Sequence, residues 1–356
     1  METLVLKCAE VAMNPSLRGM NELRFKINKA ASGNPVTQLA KIRNGNFNDT
    51  NTDTPYWEII EGTGIFTNSS GSADYGTSRE GTAVYVKLTS SIITVRVKNF
   101  TLSCNSLGYG TTNSNAFGST YDSSKNLIEI SLDELNNNSV IEDVTTFHLG
   151  TGNLDGIKYC NSLKSLVMQK ANNTITGSAS NLPANLEVFN VCRDDGNNAG
   201  NSIKWSFDDF ASKPKLKYIC VRGQECTGGD FHSMLVNRTG DADLNFCAIN
   251  CPVSGDVMFD YTSGATGALP SETLNIKRIT FNRAGTPGYD TIEFDKASCL
   301  GFLNFIKDGM DANKITFASE PVVVIRGKSG VSADSEVTAL VTTLAASPYN
   351  VSITVN

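Results

Sequence analysis

The chain has 356 residues and a mass of 38.2 kDa, a length that fits two domains or three. Its 40% hydrophobic content suffices for a buried core and excludes wholesale disorder, while only 19% of residues are charged and 36 Asn and 30 Gly fill the gap. A net charge of −6 and a pI near 5.1 argue against a nucleic-acid protein, which needs a basic face, and two histidines leave little scope for His-rich metal sites.

The start, Met1-Glu2-Thr3, is not the basic opening of a signal peptide, and the apolar run Leu4-Val5-Leu6 is cut by Lys7 and Glu10. Nowhere do 18 apolar residues follow one another, so no transmembrane helix is expected and the protein is read as assembled in a cytoplasm. Up to residue 125 the pattern is strand-like: Leu4 to Cys8, Leu23 to Ile27, Ala83 to Leu88 and Ile92 to Val97 are β-compatible runs with partial period-2 alternation. Polar, Gly-rich stretches at 44–54 and 67–78 read as long loops, and 35–42 hints at a helical turn. The expectation is an antiparallel, sandwich-like β-domain over 1–125, an attachment or oligomerisation module, closed by an exposed linker at 105–125.

From about residue 140 a pattern apolar-x-x-apolar-x-apolar recurs. It aligns Val144/Phe147/Leu149, Leu163/Leu166/Met168, Leu186/Phe189/Val191, Leu216/Ile219/Val221, Leu244/Cys247/Ile249 and Ile276/Ile279/Phe281, with spacings of 19, 23, 30, 28 and 32 residues. One short strand every 20–30 residues marks a solenoid, whose units bury their apolar faces only by stacking. The segments Leu163-Lys-Ser-Leu166-Val-Met168 and Leu216-Lys-Tyr-Ile219-Cys-Val221 resemble the leucine-rich repeat, in the irregular variety of surface proteins of gut Bacteroidetes and their phages. The family's turn-bonding Asn at the ninth position is replaced here by Ala171, Asp194, Gln224 and Pro252, so the turns must be satisfied differently. The expected fold is mainly β with some α: an irregular solenoid over 126–285, then capping units over 286–356. In the cap, Leu300 to Lys307 reads as a helix, Pro321 to Ile325 as a strand, 332–346 as a helix capped by Ser332 or Asp334, and Val351 to Val355 as a last strand.

No candidate for chemistry outweighs its structural reading. Cys247-x₃-Cys251 fits a zinc pair only loosely and Cys220-x₅-Cys226 does not, so the nine cysteines read as buried thiols. His148 alternates outward between Phe147 and Leu149. Cys226 with His232 would need a close, oriented base that the spacing does not establish. Asp241-Ala-Asp243-Leu-Asn245 opens like a calcium loop but lacks its Gly and its closing Glu. The adjacent pairs Asp194-Asp195 and Asp208-Asp209 suit turns or caps, no phosphate-binding glycine motif occurs, and the sequons at Asn99 and Asn237 follow from composition. No catalytic, metal or cofactor residue is assigned. The contact candidates are Tyr56 and Trp57, after Pro55, and Trp205 and Phe207, in the long insertion between two repeats. All four could form a stacking surface or a hot spot, or pack beneath their own loops.

Together these readings predict a non-enzymatic protein of a bacteriophage virion. The resemblance is to head-fibre or tail-associated proteins of crAss-like phages. It implies an N-terminal domain docked to capsid or tail proteins, a solenoid turned outward to host glycan or protein, and a homo-oligomer, taken as a trimer. No nucleic acid and no membrane insertion are expected. The alternative is a leucine-rich-repeat adhesin or protein-binding module of a gut bacterium. A glycan depolymerase would need a carboxylate pair at catalytic spacing, which sequence does not reveal.

Overall fold

The computed structural model describes residues 23–29, 36–38, 56–68, 70–80, 85–98, 106–108, 127–135, 142–145, 149–168, 174–191, 201–239, 242–264, 268–281 and 292–356. They form a mixed α/β, strand-rich fold with few helices, several sheets and no closed barrel among the described residues. The chain divides into two compact units, one of residues 1–176 with 194–201 and one of 177–193 with 202–356. The seam expected near residue 125 therefore falls inside the first unit.

In the first unit the strands are β1 (Leu23–Asn28), β2 (Val36–Gln38), β3 (Tyr56–Glu61), β4 (Gly64–Thr67), β5 (Ser78–Glu80), β6 (Tyr85–Leu88), β7 (Ile92–Lys98), β8 (Ser106–Gly108), β9 (Leu127–Ser131), β10 (Asp143–Thr145), β11 (Leu149–Thr151) and β12 (Ser165–Val167), with a short helix α1 (Leu132–Leu135). A six-stranded sheet has the order β11-β9-β1-β7-β3-β5, antiparallel except for the parallel pair β9–β11. Strand β1 reads Leu-Arg-Phe-Lys-Ile-Asn, and period-2 alternation sends Arg24, Lys26 and Asn28 to one face and Ile27 to the other. On that second face Ile27, Trp57, Ile93, Val95 and Ile130 are buried, while the first face is solvated. A three-stranded antiparallel sheet, β2-β6-β4, buries Phe66, Val86 and Leu88. A third, parallel set runs β8-β10-β12.

Three expectations are corrected here. Residues 36–38 of the hinted helical turn are strand β2, Ser106–Gly108 of the supposed linker are strand β8, and β9 and β11, assigned to the solenoid, complete the sheet of β1. Local composition misjudged them because long-range pairing decides strand formation on a half-buried surface.

The second unit contains β13 (Thr176–Ser178), β14 (Val188–Asn190), β15 (Ser202–Trp205), β16 (Tyr218–Cys220), β17 (Glu225–Cys226), β18 (Gly229–Asp230), β19 (Ala242–Cys247), β20 (Val257–Met258), β21 (Leu274–Thr280), β22 (Ile315–Ile325) and β23 (Ile353–Val355). Its helices are α2 (Phe207–Ala211), α3 (Phe231–Val236), α4 (Lys296–Asp311) and α5 (Ser335–Ala345). Strands β14, β16, β19, β21, β22 and β23 pair in chain order, every pair parallel. Each rung places one residue in an inward row, Phe189, Ile219, Phe246, Ile279, Val323 and Ile353, all buried. Smaller parallel pairs, β15 with β17 and β18 with β20, form between the turns.

The repeat alignment meets this register at Phe189, Ile219 and Ile279 and slips elsewhere. Val144 pairs with Leu166, so it occupies the second position of its repeat and not the first. Phe246, not Cys247, pairs with Ile219 and Ile279; a bulge at Lys277 separates the pairs Leu244–Ile276 and Asn245–Arg278, so the spacing that fits Ile276 and Ile279 is one residue too long for Leu244 and Phe246. Phe147 and His148 lie outside the described residues. The ladder also passes the expected end of the repeats at residue 285, since β22 and β23 extend it. Helix α4 is longer than the sequence suggested, at 16 residues, and Asp334 caps α5 as one of the two candidates.

The turns use substitutes for the missing asparagines. Gln224 is buried, and its side-chain carbonyl accepts the Ile203 N–H at 2.9 Å; Asn201 does the same for Ile175, also at 2.9 Å. Beneath the rungs Phe207, Phe231, Phe246, Phe281 and Phe294 form a continuous aromatic core, with centroid separations of 5.0–6.3 Å. Gly228, at φ +103°, lets adjacent turns touch, for a Cβ there would lie 2.4 Å from the Asp256 carbonyl oxygen.

Candidate functional site

The contact candidates are mostly core residues. Trp57, Trp205 and Phe207 are wholly buried, and Trp205 stacks on Phe210 at 5.5 Å and donates its indole N–H to the Gln224 carbonyl at 3.3 Å. Large apolar surfaces gain most from leaving water, so these three serve packing and not contact. Tyr56 is half-buried in β3, opposite Lys98 and Glu80.

His232 and Cys226 are each engaged elsewhere. His232 Nε2 lies 2.7 Å from the Ala268 carbonyl oxygen, and its ring packs against Phe259, Tyr261 and Phe305. Burial pushes the Cys226 thiol up to about 12, so it stays protonated. Asp208 and Asp209 are helix-starting residues, with Asp209 closing a capping box on Ser206. Asp243 is taken up by Lys277 and Asn275, and no group of three or more metal-ligating side chains occurs among the described residues. Of the described cysteines, Cys160, Cys226, Cys251 and Cys299 are buried thiols and Cys247 a half-buried one; Cys220 is disulfide-bonded, which corrects the all-thiol reading.

Two surfaces remain. The first is a cleft of about 450 Å³ on the solvated face of the six-stranded sheet. Strand β1 supplies Arg24 and Lys26 to its floor, β7 supplies Thr94, and β9 supplies Glu129 and Ser131. A bulge between Ile59 and Glu61 brings Ile60 and Glu61 in from β3. Asp133 and Glu134 of α1, with Thr151 of β11, complete the lining. Glu61 accepts from Thr94 Oγ1 at 2.7 Å; Glu129 accepts from Asn28 Nδ2 at 3.3 Å and Thr151 Oγ1 at 3.4 Å. Asp133 accepts the Asn153 N–H at 3.1 Å. Sequence reasoning missed this site. The alternation in β1 puts Arg24 and Lys26 on one face, but nothing local brings Glu129 beside them across a hundred residues.

The second surface is the solvent side of the six-rung ladder. Register aligns Val188, Tyr218, Asn245, Arg278 and Val322 in one row across five strands, with Arg278 and Val322 exposed. Burial raises the Tyr218 hydroxyl above its ordinary pKa, the Cys247 thiol adds to this, and Arg278 opposes it. Charged pairs bridge neighbouring strands beside this row: Lys217 pairs with Glu187 at 2.5 Å just before β16 and β14, and Lys277, at the bulge of β21, pairs with Asp243 of β19. Such a surface can recognise a partner through an aromatic, an amide and a guanidinium held at strand spacing.

No protein-family model matches the chain, and no curated protein and no solved structure matches it. No helix among the described residues is long and apolar enough to cross a membrane.

Proposed function

We propose that the protein is a non-enzymatic binding and display protein built on an irregular leucine-rich-repeat-like solenoid. The observation that carries this reading is the second unit's ladder, with six parallel strands in chain order, one inward row buried and one outward row of Val188, Tyr218, Asn245, Arg278 and Val322. A stack of this kind presents a regular surface whose side chains are fixed by strand register, which suits recognition. The antiparallel three-stranded sheet and the mainly antiparallel six-stranded sheet of the first unit support a sandwich-like docking or oligomerisation module.

Within this reading the protein belongs to a bacteriophage virion, as a head-fibre or tail-associated decoration whose ladder row meets host-surface glycan or protein. The Asn-, Gly-, Ser- and Thr-rich, charge-poor composition supports a densely packed particle surface. The test is the solution mass by light scattering. A trimer near three times 38.2 kDa is the expected result. A monomer would remove the oligomerisation module and favour a leucine-rich-repeat adhesin that acts alone. The ladder row is tested separately by binding of the labelled chain to intact gut Bacteroidetes cells, which Arg278→Glu should abolish.

A further inference from the structure

The cleft of the first unit treats its charges differently from the rest of the molecule. Elsewhere, opposite charges that strand register brings together do pair: Arg96 with Glu58 at 2.6 Å, Lys204 with Glu225 at 3.5 Å, and Lys217 with Glu187. Lys26 lies directly opposite Glu129 in the β1–β9 register, where cross-strand Cβ atoms are about 5 Å apart. Yet these two form no ion pair. Glu129 is instead held by the neutral donors Asn28 and Thr151, and Glu61, two strands away on the other side, by Thr94. The side chains of Lys26 and Glu134 make no hydrogen bond or ion pair among the described residues, although both line the same cavity. Neutral donors thus fix the carboxylates while a cation and an anion face the cleft unneutralised.

We propose that this cleft is a binding site for a short zwitterionic ligand, an amino-carboxylate of tripeptide size. Its carboxylate would sit on the Lys26 ammonium, and its amino group on the Glu134 carboxylate. A volume of about 450 Å³ lies within the ordinary range for small-ligand sites. Counted over the lining, two cations face four carboxylates, so a ligand with one additional ammonium fits better than one with an additional carboxylate. A purely anionic ligand meets the acidic excess, and a neutral saccharide finds no aromatic ring in the lining on which to stack. The site is separate from the ladder row and does not depend on its role.

The test is calorimetric titration of the full chain with Gly-Lys-Gly, Gly-Glu-Gly and acetyl-Gly-Lys-Gly-amide. Gly-Lys-Gly should bind, with Gly-Glu-Gly at least tenfold weaker and the doubly capped peptide weaker by a similar factor. Lys26→Gln should restrict the loss to ligands with a free C-terminal carboxylate, and Glu134→Gln to those with a free amino terminus. Lys26 and Glu134 are solvent-exposed, so neither change should move the melting temperature, which confirms that any loss is local. Three results would overturn the proposal: no heat from Gly-Lys-Gly at about 10 mM, equal binding of capped and free peptide, or binding of maltotriose with the peptides inert.

Discussion

Arg238 is 2% exposed and meets no carboxylate; its guanidinium holds four backbone carbonyls instead. Nε donates to Met234 at 2.9 Å, Nη1 to Lys213 at 2.9 Å and Leu216 at 2.7 Å, and Nη2 to Phe210 at 2.6 Å. These oxygens belong to the ends of α2 and α3 and to the chain leading into β16, where helix carbonyls lack intrahelical partners. Burial costs the cation something, since it lowers the arginine pKa to about 10. Arg238→Met keeps most of the volume but removes four hydrogen bonds at once; the Phe210 and Lys213 carbonyls keep the Lys213 and Leu216 N–H groups as donors, and the Met234 and Leu216 carbonyls lose their guanidinium donor. At about 1 kcal/mol net per hydrogen bond, offset by relief of the buried charge, the expected loss is about 3 kcal/mol. With a urea m-value of about 2 kcal/mol/M, the midpoint should fall by about 1.5 M at unchanged m. Arg238→Lys, one point donor in place of a fork, should recover less than half of that. A Met variant within about 0.5 kcal/mol of the parent would refute the argument, because it would mean that water or backbone shifts satisfy those carbonyls at no cost.

Gly228→Ala must accommodate both φ +103° and a Cβ 2.4 Å from the Asp256 oxygen, so it should cost about 2–3 kcal/mol in urea unfolding. Gly264→Ala, at φ +79° with nothing near its Cβ, should cost less than half as much. Asp295 caps α4 through the Ser298 N–H at 2.8 Å, and that bond holds its carboxyl below the usual carboxylate range. Asp295→Ala should therefore cost about 1 kcal/mol at pH 7. A depressed carboxyl contributes above its unfolded pKa of about 3.9 and loses that contribution as pH falls through the folded value, so the deficit should shrink in urea curves taken below about pH 4. Thiol labelling of the native protein at pH 8, mapped by peptide mass spectrometry, should reach half-buried Cys247 before Cys226, Cys251 and Cys299; earlier labelling of Cys251 would show that the inner turns open.

How much could be read in advance differs between the two units for a physical reason. In the second, neighbouring rungs are neighbours in sequence, so the recurring apolar positions at Phe189, Ile219 and Ile279 foreshadowed the parallel order. What slipped was local. The bulge at Lys277 changes the spacing between Ile276 and Ile279 relative to Leu244 and Phe246, and a fixed template then selected Cys247. The aromatic residues Trp205 and Phe207 looked like loop residues because their stretch is polar, yet they end one strand and start a helix with both rings in the core. In the first unit, β1 pairs with β7 and with β9, about seventy and a hundred residues further on. Alternation fixes which face each residue takes, but no local pattern reveals which strands adjoin. The cleft, built from five strands and a helix, was therefore out of reach.

The same separation explains where binding chemistry can be placed at low cost. On the ladder, charges on neighbouring rungs lie beside one another, and Glu187–Lys217 and Asp243–Lys277 neutralise one another along the stack. Such pairs on a solvated surface contribute little stability, but they discourage register slips that would place like charges together. On the six-stranded sheet, Thr94, Thr151 and Asn28 hold the carboxylates that would otherwise quench Lys26. A lysine left unpaired beside fixed acids adds nothing to folding, since water solvates it equally well in the unfolded chain. Its arrangement is therefore better explained by a ligand than by stability. Lys26→Gln should leave the urea midpoint unchanged and remove carboxylate-dependent binding, whereas a lysine that serves only the fold would lower the midpoint and leave binding intact.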